Sequence, residues 1–398
     1  MTAPPPGVRR VADGLLALTI ASVPLSTTGM EVGIAGLGVL TAVASLRGWH
    51  VARRSPLDGV IVLFYGVLAL STLASGRPQD AVGWAHSWVV LGYFVVFWWV
   101  RDARHAGRLA GLLVGAGAVA AAYGVAQHFT GIDWYRQLLG RPTFVRLRTP
   151  ESSRFAVVGF FRNYLTYAHT MVFPLAFSAS LALAGIRVAL AAVALETLAI
   201  AFSTARGAWL AVLAVVVALG VATGGRRVIA LVFALGVATG VAVVAAPELR
   251  AEAAHMFASG GENAGRVEIY ATNLDIIHAH PIFGLGFGRY QVDAAPYYDR
   301  HPGADRRSHA HNNFLQIAAE AGLTGLAAFG LLWAVVLLRG WEAIRRAANP
   351  LARASAAGGW AGVVGFLVGG LTQYNFGDAE VVIAMWTAVA LMLRAGDG

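Results

Sequence analysis

The chain has 398 residues, of which 57% are hydrophobic and only 13% charged, and its net charge is +9 at pH 7. Soluble domains carry roughly 25% charged residues, so this composition excludes a soluble globular protein and indicates a polytopic membrane protein. The positive charges are scattered between hydrophobic runs, which argues against nucleic-acid binding. Because the chain has no cysteine, disulfides and thiolate metal sites are excluded.

Hydrophobic runs of about 20 residues are typical of membrane-spanning helices, and twelve such runs predict an all-α membrane protein. They lie near residues 11–28, 30–46, 58–75, 82–100, 107–127, 166–185, 188–204, 207–224, 228–246, 312–338, 356–374 and 379–393. The first run has no convincing cleavage site, so we interpret it as an uncleaved helix. The whole of 1–398 is therefore predicted to form a single integral membrane domain.

The arginines of the short loops fall on one side of this twelve-span arrangement, and that side is expected to be cytoplasmic. Two long loops, about 128–165 and about 247–311, then lie on the opposite, periplasmic side. The second loop has six arginines and eight acids, so its charge is largely balanced internally. The predicted location is the bacterial inner membrane, with both termini in the cytoplasm.

The first long loop has an excess of positive charge that topology does not explain. It contains only two acids, Asp133 and Glu151. Two interpretations stay open, a solvated loop and a roof that binds an anion. The arginines of this loop are Arg136, Arg141, Arg146, Arg148, Arg154 and Arg162.

Several predicted spans carry glycines four residues apart, a spacing that lets helix backbones approach closely. We expect a packing role for these pairs. They are Gly236 and Gly240, Gly358 and Gly362, and Gly365 and Gly369.

Arg206 lies in the stretch FSTARGAWLA, where one predicted span meets the next with almost no loop between them. A charge at the centre of a bilayer costs about 2.5–3.5 kcal/mol on insertion scales, so we expect Arg206 at the outer surface. It is either an ordinary interfacial arginine or a fixed cation on a rigid turn. In the second case Ser203 and Thr204 could donate further hydrogen bonds to an anion.

Arg266 opens the stretch RVEIYATNLDIIHAHPIFGLGFGRY, which lies within the longest polar segment of the chain, Glu248 to Arg307. Val267, Tyr270, Leu274 and Ile277 repeat at helical spacing, which predicts an amphipathic helix lying along the membrane. Arg266 would stand in the first turn of this helix, where backbone N–H groups also favour an anion.

The end of this helix and the segment after it are predicted from local signals. The pair His280-Pro281 ends the helix, and Gly284, Gly286 and Gly288 form a tight turn. Because no βαβ unit surrounds these glycines, they are not a dinucleotide site.

His311 stands at the foot of a hydrophobic helix, between His309 and Asn312. A neutral imidazole accepts a proton near neutral pH, which suits general-base catalysis on a hydroxyl. An ordinary surface histidine is the alternative. A zinc site built from His278, His280 and the two later histidines is a third interpretation, although no HExxH motif or cysteine pair accompanies them.

His311 and the residues around it resemble a motif of a known family. His311-Asn312, nine residues, and then Gly322-x-x-Gly325 are similar to the His-[Asn/Ser/Gln]-x9-Gly-x-x-Gly signature of lipopolysaccharide O-antigen ligases. Three other stretches resemble the same superfamily, which also contains O-antigen polymerases and O-linked oligosaccharyltransferases. These are Gly159 to His169 (GFFRNYLTYAH), Ser203 to Ala211 (STARGAWLA) and the run from Arg266 through HPIFGLGFG.

The resemblance implies a GT-C-like fold of about twelve transmembrane helices and a catalytic site on the large periplasmic loop. It implies a glycan donor on undecaprenyl pyrophosphate, an acceptor hydroxyl on lipid A–core, and no nucleotide or metal cofactor. His311 takes the role of the base, while Arg206 and Arg266 bind the pyrophosphate. Weaker candidates for substrate contacts, or for orienting the histidine, are Arg162, Arg289, Asn312 and His309.

Other functions remain open from the sequence alone. An O-antigen polymerase would use the same donor, and a related transferase would glycosylate a protein. A transporter or flippase would bury ionisable residues at mid-membrane, but few acids fall well inside the predicted spans, chiefly Glu196 and, less deeply, Glu31 and Asp13. Because the polar residues gather at one surface, the sequence favours an enzyme.

Overall fold

A computed structural model describes residues 2–49, 51–80, 82–148, 152–225, 262–304 and 309–397, and these residues are mainly helical. The α-helices are α1 (Pro6–Ser22), α2 (Thr27–Leu46), α3 (Asp58–Ala74), α4 (Leu91–Trp99), α5 (Ala103–Thr130), α6 (Trp134–Leu138), α7 (Tyr164–Leu183), α8 (Val188–Phe202), α9 (Arg206–Thr223), α10 (Glu262–Ala279), α11 (Tyr290–Asp293), α12 (Ala295–Tyr298), α13 (Asn313–Arg346), α14 (Pro350–Gly369) and α15 (Ala379–Ala395).

Five of these helices, α2, α5, α9, α13 and α14, are long and apolar enough to cross a membrane. The protein is therefore a helical, multi-pass membrane protein. The predicted span near 228–246 lies outside the described residues, and the total of twelve spans stays a prediction.

The predicted span 82–100 is not one continuous α-helix. Val82–Val90 form a 3-10 helix, and α4 follows with nine residues. Within the 3-10 segment the indole of Trp84 donates a hydrogen bond to Thr72 Oγ1 (2.9 Å) and meets the ring of Phe287 edge-on. Trp84 thus ties the 3-10 helix to neighbouring segments. The hydrophobicity of this run alone does not distinguish a 3-10 helix from an α-helix.

The structure agrees with the predicted helical class and adds one short pair of strands in the first long loop. Two short strands, β1 (Arg146–Leu147) and β2 (Phe155–Ala156), pair antiparallel there. The ring of His128, near the end of α5, lies 2.7 Å from the carbonyl oxygen of Phe155. The β1–β2 pair, called the hairpin below, is thus fastened to the end of α5.

The predicted glycine pairs on α14 lie where this helix packs against α7 and α9. A methyl group added to Gly358 would stand 2.9 Å from the Phe177 Cα, and one added to Gly365 would stand 2.7 Å from a Val215 methyl. The close approach predicted for α14 is therefore confirmed. The third pair, at 236 and 240, lies outside the described residues.

The helix that follows His311 is broken at Gly322, which has φ 66° and ψ −169°. The break leaves the carbonyl oxygens of Ala319 and Glu320 to accept hydrogen bonds from the backbone N–H groups of Leu285 and Gly286, both at 2.9 Å. The predicted tight turn after α10 is confirmed, and it docks onto this break. Gly322, the first glycine of the Gly-x-x-Gly pattern, therefore allows the backbone of α13 to pair with the turn after α10.

Replacing Gly322 with alanine is expected to destabilise the protein by several kcal/mol. The new Cβ would stand 2.2 Å from the carbonyl oxygen of Ile282, and the backbone conformation is one that only glycine adopts readily. Gly330→Ala, on the same helix with open space around it, is the matched control and should be neutral or stabilising. Thermal unfolding of the purified variants measures both, and an unchanged midpoint for Gly322→Ala would contradict this account.

Candidate functional site

His311 occupies a strained turn immediately before α13. Its φ is +50°, and among the described non-glycine residues only Thr204 shares a positive φ. Its Nδ1 lies 2.9 Å from Oε1 of Gln373, 62 residues further along the chain. A left-handed backbone persists for such a residue only where its surroundings hold it, and Gln373 is part of those surroundings.

Two asparagines after His311 fasten the foot of α13 to residues 370–375, which we call the crossing segment. Asn312 caps α13 by accepting from the N–H groups of the next turn, and its Nδ2 donates to the carbonyl of Leu371 (2.9 Å). The amide of Asn313 donates at 2.6 Å to Oδ1 of Asn375. The predicted orienting role of Asn312 is consistent with these contacts.

Arg266 approaches the same crossing segment from α10. Its Nη1 donates to the carbonyl oxygen of Thr372 at 3.3 Å. Because the described part of α10 starts at Glu262, at least one helical turn precedes Arg266, which is therefore not in the predicted first turn. The side of α10 that packs on the protein carries Ile269 and Ile276, while the predicted apolar residue Val267 is exposed.

Arg206 is the exposed first residue of α9. Its neighbour Gly207 fits so closely that a Cβ there would lie 2.2 Å from Thr372 Oγ1. Thr204, with φ +66°, forms the turn that connects α8 to α9 just before Arg206. The prediction that Ser203 offers a hydrogen bond to an anion is wrong, because this hydroxyl is buried and donates to the carbonyl of Ile200 (2.6 Å).

The crossing segment therefore touches three elements that the sequence predicted to meet. The start of α9 and the side chain of Arg266 both contact Thr372, and His311 contacts Gln373. Sequence reasoning missed Gln373. A signal existed, since the polar run from Thr372 to Asp378 separates two apolar spans.

A cavity of about 510 Å³ opens on one side of the crossing segment. This volume lies within the range of small-molecule sites, roughly 300–1,000 Å³. His309 and Gln373 belong to its wall, whereas His311, Arg206 and Arg266 do not. The other residues that line it are Tyr65, His86, Ser87, Val89, Asn163, Phe287, Gly288, Tyr290, Gln291, Gln316, Glu320, Tyr374, Phe376, Gly377, Asp378, Ala379, Glu380 and Val382.

The four weaker candidates differ in their surroundings. Arg289 is fully buried and paired with Asp293 (2.6 Å), which favours a role in holding the turn after α10. The ring of His309 lies 4.3 Å from that of His311, centroid to centroid. Arg162 is exposed, one residue before the cavity residue Asn163. Asn312 holds the turn, as described above.

The zinc alternative requires several histidine or carboxylate side chains close together. Within the described ranges, no group of three or more histidine, aspartate or glutamate side chains has the spacing to hold a metal ion. The ring of His280 lies 2.9 Å from the hydroxyl of Tyr297, and His309 also packs against the ring of Tyr374.

Two carboxyl groups, Asp378 and Glu380, line the cavity just before and within the first turn of α15. The hydroxyl of Thr166 donates to Asp378 at 2.6 Å, and that of Thr27 donates to Glu380 at 3.1 Å. Burial raises the pKa of Asp378 well above the usual carboxyl range, and the neighbouring Glu380 raises it further. The folded protein therefore binds a proton at Asp378 more tightly than the unfolded chain does.

This raised pKa predicts a pH-dependent stability. The contribution of Asp378 is fully present below the ordinary carboxyl pKa and is lost as pH rises toward the folded-state pKa, by at most about 1.4 kcal/mol per pH unit. Asp378→Asn should flatten this decline, whereas Asp299→Asn, at an exposed position, should leave it unchanged. Thermal melts from pH 5 to 8 decide the point, and parallel curves for Asp378→Asn and wild type would refute it.

Comparison with known proteins bears on residues 189–330, which match the family model described as O-antigen ligase. The matched range contains Arg206, Arg266 and His311, while the crossing segment lies beyond it. A search of curated proteins finds no match to this chain. The resemblance predicted from the motifs is thus confirmed over 142 of the 398 residues, just over a third of the chain.

Proposed function

We propose that this protein is an O-antigen ligase of the bacterial inner membrane. It transfers a glycan from undecaprenyl pyrophosphate to a sugar hydroxyl of lipid A–core, at a site that faces the periplasm. One observation carries the proposal: a single short segment, Thr372–Gln373, contacts the start of α9, the side chain of Arg266 and the ring of His311.

The donor pyrophosphate is held in this scheme by Arg206, Arg266 and the N-terminus of α9. Arginine offers a planar fork of donors that matches phosphate oxygens, and the first N–H groups of a helix add a fixed positive potential. Charge on the diphosphate grows as the glycosidic bond breaks. Cations already in position stabilise that charge without reorganising at the moment of reaction.

The acceptor hydroxyl is activated by His311. If Nδ1–H donates to Gln373, Nε2 is the nitrogen that carries the lone pair and takes the proton of the hydroxyl. The acceptor oxygen forms a bond to the anomeric carbon while the bond from that carbon to the diphosphate oxygen breaks. The anomeric configuration inverts, and undecaprenyl pyrophosphate leaves with the bonding electron pair.

Gln373 is proposed as the residue that positions His311, and its replacement gives a pH-dependent test. A carboxylate beside the imidazole stabilises the protonated ring, so in Gln373→Glu the acidic limb of the pH–rate profile should move to higher pH. Gln373→Ala should lower kcat about tenfold or more with little change in KM, because ring orientation is lost. A profile for Gln373→Glu that overlays the wild type would contradict this role.

Two experiments test the function itself. In a deletion strain, loss of capped lipopolysaccharide while long polymer accumulates on the lipid carrier supports a ligase. Accumulation of single repeats on the carrier would instead assign the chain as a polymerase. Purified protein given both lipid substrates should form capped lipopolysaccharide in the presence of EDTA, and inhibition by EDTA would restore the metal-dependent alternative.

A further inference from the structure

The first long loop presents exposed apolar side chains beside exposed arginines. Its short helix α6 and the hairpin leave Leu138 86% exposed, and Trp134, Phe144 and Leu147 are each at least 40% exposed. Three exposed arginines of the same segment are Arg141, Arg146 and Arg154. We call these seven exposed residues the loop-1 surface.

The loop-1 surface is built on a rigid base. The side-chain amide of Gln127 both donates to and accepts from the backbone of Gly159, at 3.1 and 2.9 Å. Buried Arg136 is paired with Asp133 (3.3 Å) and donates to the carbonyl of Phe161 (3.2 Å). A ligand would therefore meet a preformed surface, which lowers the entropy cost of binding.

Two of the arginines are held in orientation by aromatic rings. The guanidinium carbon of Arg146 lies 4.5 Å from the ring centre of Tyr164, and that of Arg154 lies 4.8 Å from the ring centre of Phe129. Stacking uses the face of the guanidinium and leaves its N–H edge for hydrogen bonds. Such an edge is suited to phosphate oxygens.

The first long loop carries an excess of positive charge that binding of the donor diphosphate does not explain. Residues 128–165 contain six arginines and only two acids. One of those acids, Asp133, is paired with buried Arg136. The diphosphate of the donor is already matched by Arg206 and Arg266 in the proposed function. The remaining positive charge therefore fits a second anionic ligand.

The loop-1 surface adjoins the cavity. Tyr164, on which Arg146 stacks, is the first residue of α7, and its neighbour Asn163 lines the cavity wall. Exposed tryptophan and leucine beside arginine at the end of a membrane helix are typical of the bilayer interface, where lipid phosphates lie. A lipid bound here would place its polar head near the cavity wall that contains Gln373, the residue that contacts His311.

We propose that the loop-1 surface binds a phosphorylated glycolipid of the outer leaflet, with phosphates on the arginines and apolar parts on α6 and the hairpin. This inference rests on the proposed function in one respect, since it identifies that lipid with the acceptor. The protein would thus select an acceptor by its phosphates, at a place separate from the donor arginines.

Binding can be measured without any transfer reaction. The purified protein in nanodiscs of zwitterionic lipid is titrated with fluorescent lipid A–core, intact or dephosphorylated. The triple variant Arg141→Gln, Arg146→Gln, Arg154→Gln should bind the phosphorylated lipid about tenfold more weakly, from modest contributions by three exposed charges. The dephosphorylated lipid should bind wild type and variant equally. A second triple variant, Arg47→Gln, Arg54→Gln, Arg353→Gln, neutralises three exposed arginines elsewhere and should bind like wild type.

Three results would overturn the proposal. These are equal binding of phosphorylated lipid by wild type and the loop-1 variant, equally effective competition by phosphatidylglycerol, and weakened binding of undecaprenyl pyrophosphate instead of lipid A–core. The outcome is independent of the enzymatic assay. If wild-type protein binds the phosphorylated lipid through these arginines but transfers no glycan, the proposed function fails while the binding surface stands.

Discussion

Replacing His311 with alanine is expected to lower the rate of glycan transfer by about 10²–10⁴-fold, the usual contribution of a positioned general base. The loss should appear in kcat, because the imidazole acts on the hydroxyl proton in the transition state and adds little to ground-state binding. The assay is in vitro transfer with saturating donor and acceptor. The folded state is checked through the thermal midpoint.

His278→Ala is the matched control for this prediction. His278 is exposed at the end of α10 and belongs to the zinc alternative, but it has no part in the proposed mechanism. It should retain wild-type activity. Full activity in His311→Ala would remove the base assignment, and a loss in His278→Ala equal to that in His311→Ala would favour a histidine cluster.

The helices could be predicted from sequence because the signal is local. A run of about 20 apolar residues is enough to indicate a span, and glycines four apart on α14 indicate close packing whatever the partner. The break at Gly322 could not be found this way, since its cause is the carbonyl of Ile282, contributed by another segment. The apolar run 312–338 therefore gave no sign of the interruption.

The residues of the candidate site likewise fall into those with a local sequence signal and those that only a long-range contact reveals. Arg206, Arg266 and His311 were identified through motifs, whereas Gln373 contacts His311 across 62 residues and belongs to none of them. For Arg289 the sequence already indicated an internal ion pair, because Asp293 follows it at the i, i+4 spacing that favours such a pair within a helical turn. The structure shows that pair, with the guanidinium buried.

The second large effect is expected from conservative replacement of Arg206 and Arg266, the arginines proposed to bind the donor. Arg206→Lys and Arg266→Lys should each reduce kcat/KM by about 10²–10³-fold, the cost of losing one preorganised donor to a developing anion. Lysine keeps the charge but cannot reproduce a bidentate fork. The loss should be measured with the lipid-linked donor varied at saturating acceptor.

The control and the double variant make this prediction sharper. Arg187, exposed at the start of α8, should tolerate lysine without loss of activity. If Arg206 and Arg266 bind the same diphosphate, the double variant should lose less than the product of the single losses, because groups that act as a unit are not additive. Strictly multiplicative losses would indicate separate anions, and unchanged activity in Arg206→Lys would reduce that residue to an interfacial charge. Because Gly207, next to Arg206, and the side chain of Arg266 both approach Thr372, we expect the double variant to show the shared diphosphate.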